Sequence, residues 1–141
     1  MIQALGSNAV SECASARFPA RPGSVVLARE WVAGYAGRAR LPRPMRLKLE
    51  LIVEELMTNT VKHGRPDPGS QIEIAFESAA SGAGVSLTYV DRGNAFDPTA
   101  ITGPPPSGGF GLSLIRGLSV ELAYERRCDA NHLRLSVPLS L

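Results

Sequence analysis

The stretch Gln71–Gly93, "QIEIAFESAASGAGVSLTYVDRG", decides the fold. Ile72, Ile74 and Phe76 alternate with polar residues, and so do Val85, Leu87 and Tyr89. A period of two marks half-buried strands, and "AASGAG" between them is a turn. The pair reads as an antiparallel hairpin. Further on, "VELAYERR" and "HLRLSVP" alternate in the same way around "CDAN", giving a second pair. Upstream, "SARFPA" predicts a short edge strand ended by Pro19. Apolar residues at 25, 28, 32 and 35 predict a helix with Ser24 as its N-cap, and "RLPRP" breaks it. A second helix is expected from about Met45 to His63, stopped by Gly64, and a third over "FGLSLIRGL". The order β-α-α-β-β-loop-α-β-β, with strands paired as hairpins, excludes a doubly wound parallel sheet. It predicts an α+β fold, a two-layer α/β sandwich with a mixed, mostly antiparallel sheet and three helices on one face.

The chain has 141 residues, with 44% hydrophobic and 20% charged, a composition suited to one globular domain. Residues 1–12 read as a flexible N-terminus and 13–141 as a single domain. Aromatics make up 6%, which implies a largely aliphatic core. Fifteen basic residues against 13 acidic ones leave a net charge of +2, too balanced to argue for nucleic acid. Arg38, Arg40, Arg43 and Arg46 cluster between the first two helices and read as a solvated connector or a patch for an acidic partner. Cys13 and Cys128 have no metal or redox spacing. No apolar run reaches membrane-spanning length and no signal peptide begins the chain, so no membrane and a cytoplasmic location are expected.

The second helix carries a polar stripe in "LELIVEELMTNTVKHG" (Leu49–Gly64). At about 100° per residue, Leu49, Val53, Leu56, Met57 and Thr60 gather on one side, to pack on the sheet. Lys48, Glu55, Asn59 and Lys62 gather on the other, His63 lies at the margin, and Leu51 and Ile52 form an apolar border. The stripe reads as solvated surface or as one wall of a site. His63 also suits a helix C-terminus electrostatically.

Two glycine-bearing segments stand out. In "VDRGNAFDP", Asp91 ends a strand and Gly93 follows two residues later, a turn that also lets a carboxylate accept from a ligand N–H beside close backbone. In "SGGFGLSLI", Gly108, Gly109 and Gly111 lead into a helix start, where free N–H groups suit phosphate. Residues 92–110 between them form a long irregular loop, of the kind that is commonly functional. From Gly93 to Ile115 there is no Lys or Arg, so a polyphosphate beneath this loop needs charge from elsewhere. Lys62 is the first candidate, because it shares the helix face of Asn59; Arg92 and Arg116 follow.

In combination, "EELMTN", "DRGNAFDP" and "GGFGL" resemble the GHKL ATPases, the superfamily of gyrase, MutL and the histidine kinases. The "FDP" and the terminal hairpin resemble most closely the anti-sigma-factor serine kinases of bacterial partner switching. The resemblance implies the Bergerat ATP-binding fold, with ATP and Mg²⁺ as cofactors. It implies Asn59 as the Mg²⁺ ligand, Glu55 as general base, Asp91 as acceptor from the adenine amino group and Gly93 as the glycine beneath the base. It implies Gly108, Gly109, Gly111 and Leu112 at the lid hinge and phosphate-side helix; Lys62 joins the expected ATP site on the separate ground of the uncharged loop. It further implies a STAS-domain anti-anti-sigma-type partner phosphorylated on Ser, a sigma factor or other regulator held alternately, and a homodimer, as relatives often form. An ATP-gated binder without catalysis and a simple ATPase are the alternatives. Two departures stand out. Ala95 replaces a frequent second glycine, and "DANHLRL" lacks the threonine that relatives place near the adenine, so that role has no assigned residue.

Overall fold

The computed structural model describes residues 13–78, 84–96, 117, 118 and 120–139. Five strands and two helices follow in the order β1 (Cys13–Pro19), α1 (Ser24–Arg38), α2 (Arg43–Asn59), β2 (Gln71–Ser78), β3 (Gly84–Asp91), β4 (Val120–Arg127) and β5 (Ala130–Pro138). The sheet order is β1-β2-β3-β5-β4, and every described pairing is antiparallel. The expected edge strand is present: Phe18 pairs with Ile72, and Pro19 ends the ladder opposite Gln71. Of the expected third helix, only Gly117 and Leu118 are described, and they are helical.

The alternation read from the sequence places one face of the sheet in the core. Ile72, Ile74, Phe76, Val85, Leu87, Tyr89, Leu133, Leu135 and Val137 are all buried there. Met45, Leu49, Val53, Leu56 and Met57 of α2 join them in one cluster. The core is mainly aliphatic, as expected, with one aromatic exception. Phe76 stacks on Tyr35 at 4.9 Å and on Trp31 at 5.3 Å, and Trp31 meets Phe18 edge-on at 5.9 Å. Four of the eight aromatics thus gather where α1 lies on the sheet.

Several details depart from expectation. Ile52 is 0% exposed rather than on an outer border, because α1 packs beside α2 and widens its buried arc beyond the sheet-facing stripe. Arg29 of α1 reaches Glu54 at 3.2 Å and Glu50 at 3.7 Å across the rim of that contact. Ser24 is the first helical residue rather than the cap, since backbone bonds Ser24 N–Arg21 O and Val25 N–Pro22 O close the entry turn instead. Helix α2 begins at Arg43, where Pro44 in its first turn sacrifices no hydrogen bond.

The α-helix also stops at Asn59, and Thr60–Gly64 form a wider π turn. The cause is local. The Leu56 carbonyl accepts from the Thr60 N–H, from Thr60 Oγ1 at 3.1 Å and from Tyr89 OH at 3.1 Å. A hydroxyl bonding back to its i−4 carbonyl distorts a helix. The residue in the left-handed region is Arg65 (φ 47°), not Gly64. At the edge of the sheet, Cys128 and Asp129 (φ 53° and 59°) make a type I′ turn between β4 and β5, at the same end as Asp91, and a bulge at Glu121 (φ 55°) interrupts the outer strand.

Phe76 lies under both α1 aromatics, so we predict that Phe76→Ala lowers the unfolding free energy by about 3–5 kcal/mol in denaturant titration. A loss below about 1 kcal/mol would contradict the stacked arrangement as a core element.

Candidate functional site

Two clusters of polar side chains meet where α2 ends and β3 ends. The first is on α2. Glu54 is engaged by Arg29, and Glu50 by Arg29 and by Arg46 at 3.2 Å. Glu55 has no ion-pair partner among the described residues, so the two adjacent glutamates differ in kind. One turn later, on the same face, Asn59 Nδ2 is buried without a hydrogen-bond partner among the described residues. An unsatisfied buried polar atom costs about 1–3 kcal/mol, a penalty that a ligand beside it can remove.

Lys62 and His63 lie in the π turn, and both are exposed. The α-helical step that put Lys62 on Asn59's face ends at Asn59, so that ground for choosing Lys62 does not hold. What remains is an exposed ammonium close in sequence to Asn59.

The second cluster surrounds Asp91, which is 8% exposed. Its Oδ1 accepts from Gly93 N–H at 2.8 Å, the expected turn after the strand. It accepts also from Asn131 Nδ2 at 3.0 Å. Its Oδ2 faces the Thr60 hydroxyl at 3.3 Å, which ties the end of the helix to the end of the strand. Thr60 Oγ1 is also 2.6 Å from Tyr89 OH. Burial pushes the Tyr89 phenol well above its usual pKa; the Thr60 hydrogen bond opposes this and the Asp91 charge adds to it. Tyr89 therefore stays protonated and serves as a donor. Two hydroxyl protons are thus shared among three contacts: the Leu56 carbonyl, the Asp91 carboxylate and the hydroxyl–hydroxyl pair.

Gly93 is needed for a steric reason. A Cβ there would lie 2.7 Å from Gly64 O and 3.0 Å from Gly64 C and Cα, all backbone atoms. Asn94 N–H donates to Gly64 O at 2.6 Å, and Arg126 Nη1 donates to Gly93 O at 2.8 Å. Asn59, next to Thr60 at the end of α2, therefore adjoins Asp91 at the end of β3 and Gly93 just after it, and Glu55 lies one turn back along α2. Gly108, Gly109, Gly111 and Leu112 lie outside the described residues.

Sequence reasoning missed Thr60, Tyr89, Arg126 and above all Asn131. Asn131 is 6% exposed and pairs in register with Asp91 across β3 and β5. It occupies the segment in which no threonine could be found. The sequence signal was a polar residue beside the start of an alternating strand, which gains meaning only once the register is known.

No group of three or more His, Cys, Asp or Glu able to hold a metal occurs among the described residues. The donor chemistry at Asn59 fits a hard cation that takes its other ligands from phosphate and water. Magnesium is commonly held in that way, with few protein ligands. The Asn59 amide, unpaired at Nδ2, has an oxygen suited to the task.

A family model described as a histidine kinase-like ATPase domain matches residues 18–137. Serine/threonine-protein kinase BtrW of Bordetella bronchiseptica is 34% identical over 114 residues, which cover 75% of this chain and 80% of that protein. Among solved structures, the RsbU and RsbW domains of Rv1364c from Mycobacterium tuberculosis match with a TM-score of 0.67 at 16% identity. That match covers 89% of this chain but 32% of the other, so the likeness is one of fold to part of a longer chain. Among the described residues, no helix is long and apolar enough to cross a membrane.

The two glycines at the junction are predicted to behave differently. Gly93→Ala must push the Gly64 backbone away and should cost about 1–3 kcal/mol in chemical denaturation. Gly64→Ala meets its nearest neighbours at 3.6 and 3.7 Å, ordinary contact, and should stay within about 1 kcal/mol of the parent. Equal tolerance at both positions would contradict the close approach.

Proposed function

The chain belongs to the histidine kinase-like ATPase domain family, and from that premise we propose that it is an ATP-dependent serine-protein kinase of a partner-switching system. It transfers the γ-phosphoryl group of ATP to a serine of a STAS-domain antagonist. Alternately it holds a sigma factor or another regulator. The observation that carries the reading is the buried Asn59 Nδ2, unpaired among the described residues, one turn from Glu55, which has no ion-pair partner among them, on the helix that Thr60 ties to Asp91. The relative named as a serine/threonine-protein kinase supports the kinase class, and the RsbW domain in the structural match supports the switching role.

The residues divide the work as follows. Asp91 accepts a hydrogen bond from the adenine amino group through Oδ2, the oxygen not already committed to Gly93 and Asn131. Gly93 lets the backbone beside the base pack closely. Asn59 offers its amide oxygen to Mg²⁺; the ion, when bound, neutralises charge on the phosphates. Glu55 takes the proton of the acceptor serine as its oxygen bonds to the γ-phosphorus and the bond to the β-phosphate oxygen breaks, releasing ADP. Phosphoryl transfer requires mainly positioning and neutralisation, with a base for the hydroxyl proton. Lys62, Gly108, Gly109, Gly111 and Leu112 complete the phosphate side in this reading.

Two variants test it. Glu55→Ala should bind ATP as the parent does and transfer phosphate about 10²–10⁴-fold more slowly to the STAS protein, followed by phosphoserine mass spectrometry. Near-parental transfer removes Glu55 from the chemistry. A complex that requires ATP and survives this change, with no phosphoserine formed by the parent, favours the ATP-gated binder. Steady phosphate release without an acceptor favours the simple ATPase.

Asn59→Ala removes a buried atom that has no partner, so the nucleotide-free protein should be no less stable than the parent. Its thermal shift with Mg-ATP should shrink to that with ATP alone. Retention of the Mg²⁺-dependent part of the shift would exclude Asn59 as the ligand.

A further inference from the structure

Asn131 is held by four hydrogen bonds. Nδ2 donates to Asp91 Oδ1 at 3.0 Å and to Asn94 O at 2.8 Å. Oδ1 accepts from Tyr124 OH at 2.6 Å and from Phe96 N–H at 3.2 Å. These partners use both donors of the amide and both acceptor lone pairs, and they fix which end is oxygen. A side chain so saturated has no valence left for a ligand. Its effect on a ligand must pass through what it holds.

What it holds is Asp91. With Gly93 N–H and Asn131 both on Oδ1, the carboxylate cannot turn without breaking two bonds. Oδ2 meets only the Thr60 hydroxyl among the described residues, at 3.3 Å, near the long limit for an O–H···O bond. That hydroxyl has Tyr89 OH at 2.6 Å and Leu56 O at 3.1 Å as other outlets for its proton. It can release Oδ2 without being left unpaired. Asp91 therefore presents one oxygen, in one orientation, as a fixed anionic acceptor. Such a group accepts from a purine 6-amino group and repels a 6-oxo group. A carboxylate free to rotate discriminates poorly between them.

We propose that Asn131 is the positioning residue for base selection: by locking Asp91 it makes the site select 6-amino over 6-oxo purine nucleotides. The inference rests on the reading of Asp91 as the amino-group acceptor, and it assigns the residue that enforces that selection.

The test compares ATP with ITP, which differ at the 6-position in this manner, by calorimetric titration of the full chain with Mg²⁺. The variants are Asn131→Ala, Asn131→Asp and Asp91→Asn. The aspartate keeps the shape of the asparagine and the acceptor oxygen for Tyr124 and Phe96, so it serves where the alanine variant fails to fold. The parent should favour ATP about 10-fold or more, the worth of one hydrogen bond to a charged group. Both Asn131 variants should bring the ATP-to-ITP ratio to within about 3-fold of unity, on proteins whose melting is cooperative. A general loss of structure would weaken both nucleotides alike and leave that ratio unchanged. If Asp91→Asn abolishes the preference while both folded Asn131 variants keep it, the proposal is overturned and the Asp91 reading stands. If the parent itself does not discriminate, both are overturned.

Discussion

The backbone of Gly93 rests against the backbone of Gly64, and the site depends on that contact. It brings the end of a strand against the end of a helix at a distance that only a residue without Cβ allows. The Asn94–Gly64 hydrogen bond closes it, and the Thr60–Asp91 contact runs parallel to it one layer deeper. Because α2 is a single helix up to Asn59, fixing its end also fixes Glu55 and Asn59 relative to Asp91. Two sequence segments about thirty residues apart thereby become one chemical surface.

The two halves of that surface are satisfied differently. Around Asp91, every acceptor and donor named above finds a partner, and the carboxylate is buried among the hydrogen bonds that hold it. On α2, the Asn59 amide nitrogen is buried and unpaired, and Glu55 lacks the arginine that its neighbour Glu54 has. The Asp91 end is thus pre-organised, as the proposed base contact requires, while the α2 end retains the hydrogen-bonding capacity that the proposed phosphate side requires. Fixed dipoles and charges suit recognition of a rigid base. Unpaired groups suit a step in which metal, phosphate and an incoming hydroxyl must all be accommodated.

Much of the fold was legible because its strands alternate cleanly. The buried sets Ile72–Ile74–Phe76 and Val85–Leu87–Tyr89 follow directly from a period of two. Less was legible where one element's environment is set by another. A helical wheel for α2 contains no information about α1, so Ile52 was misplaced to an outer border. The π turn arises because Tyr89, far away in sequence, shares the Leu56 carbonyl with Thr60. Gly64 looked like a helix stop, yet Arg65 takes the left-handed conformation and Gly64 receives Gly93. At the site, Asp91 and Gly93 could be singled out from a local turn. Asn131 could not, because its meaning comes from the β3–β5 register that pairs it with Asp91.

The most direct measurement is a crystal structure of the chain with a non-hydrolysable ATP analogue and Mg²⁺. The account predicts the exocyclic amino nitrogen about 3 Å from Asp91 Oδ2. It predicts Mg²⁺ about 2.1 Å from the Asn59 amide oxygen, with Glu55 facing the γ-phosphate. A nucleotide bound away from Asp91, or a metal held without Asn59, would contradict the assignment of α2 and the β3 end to a single site.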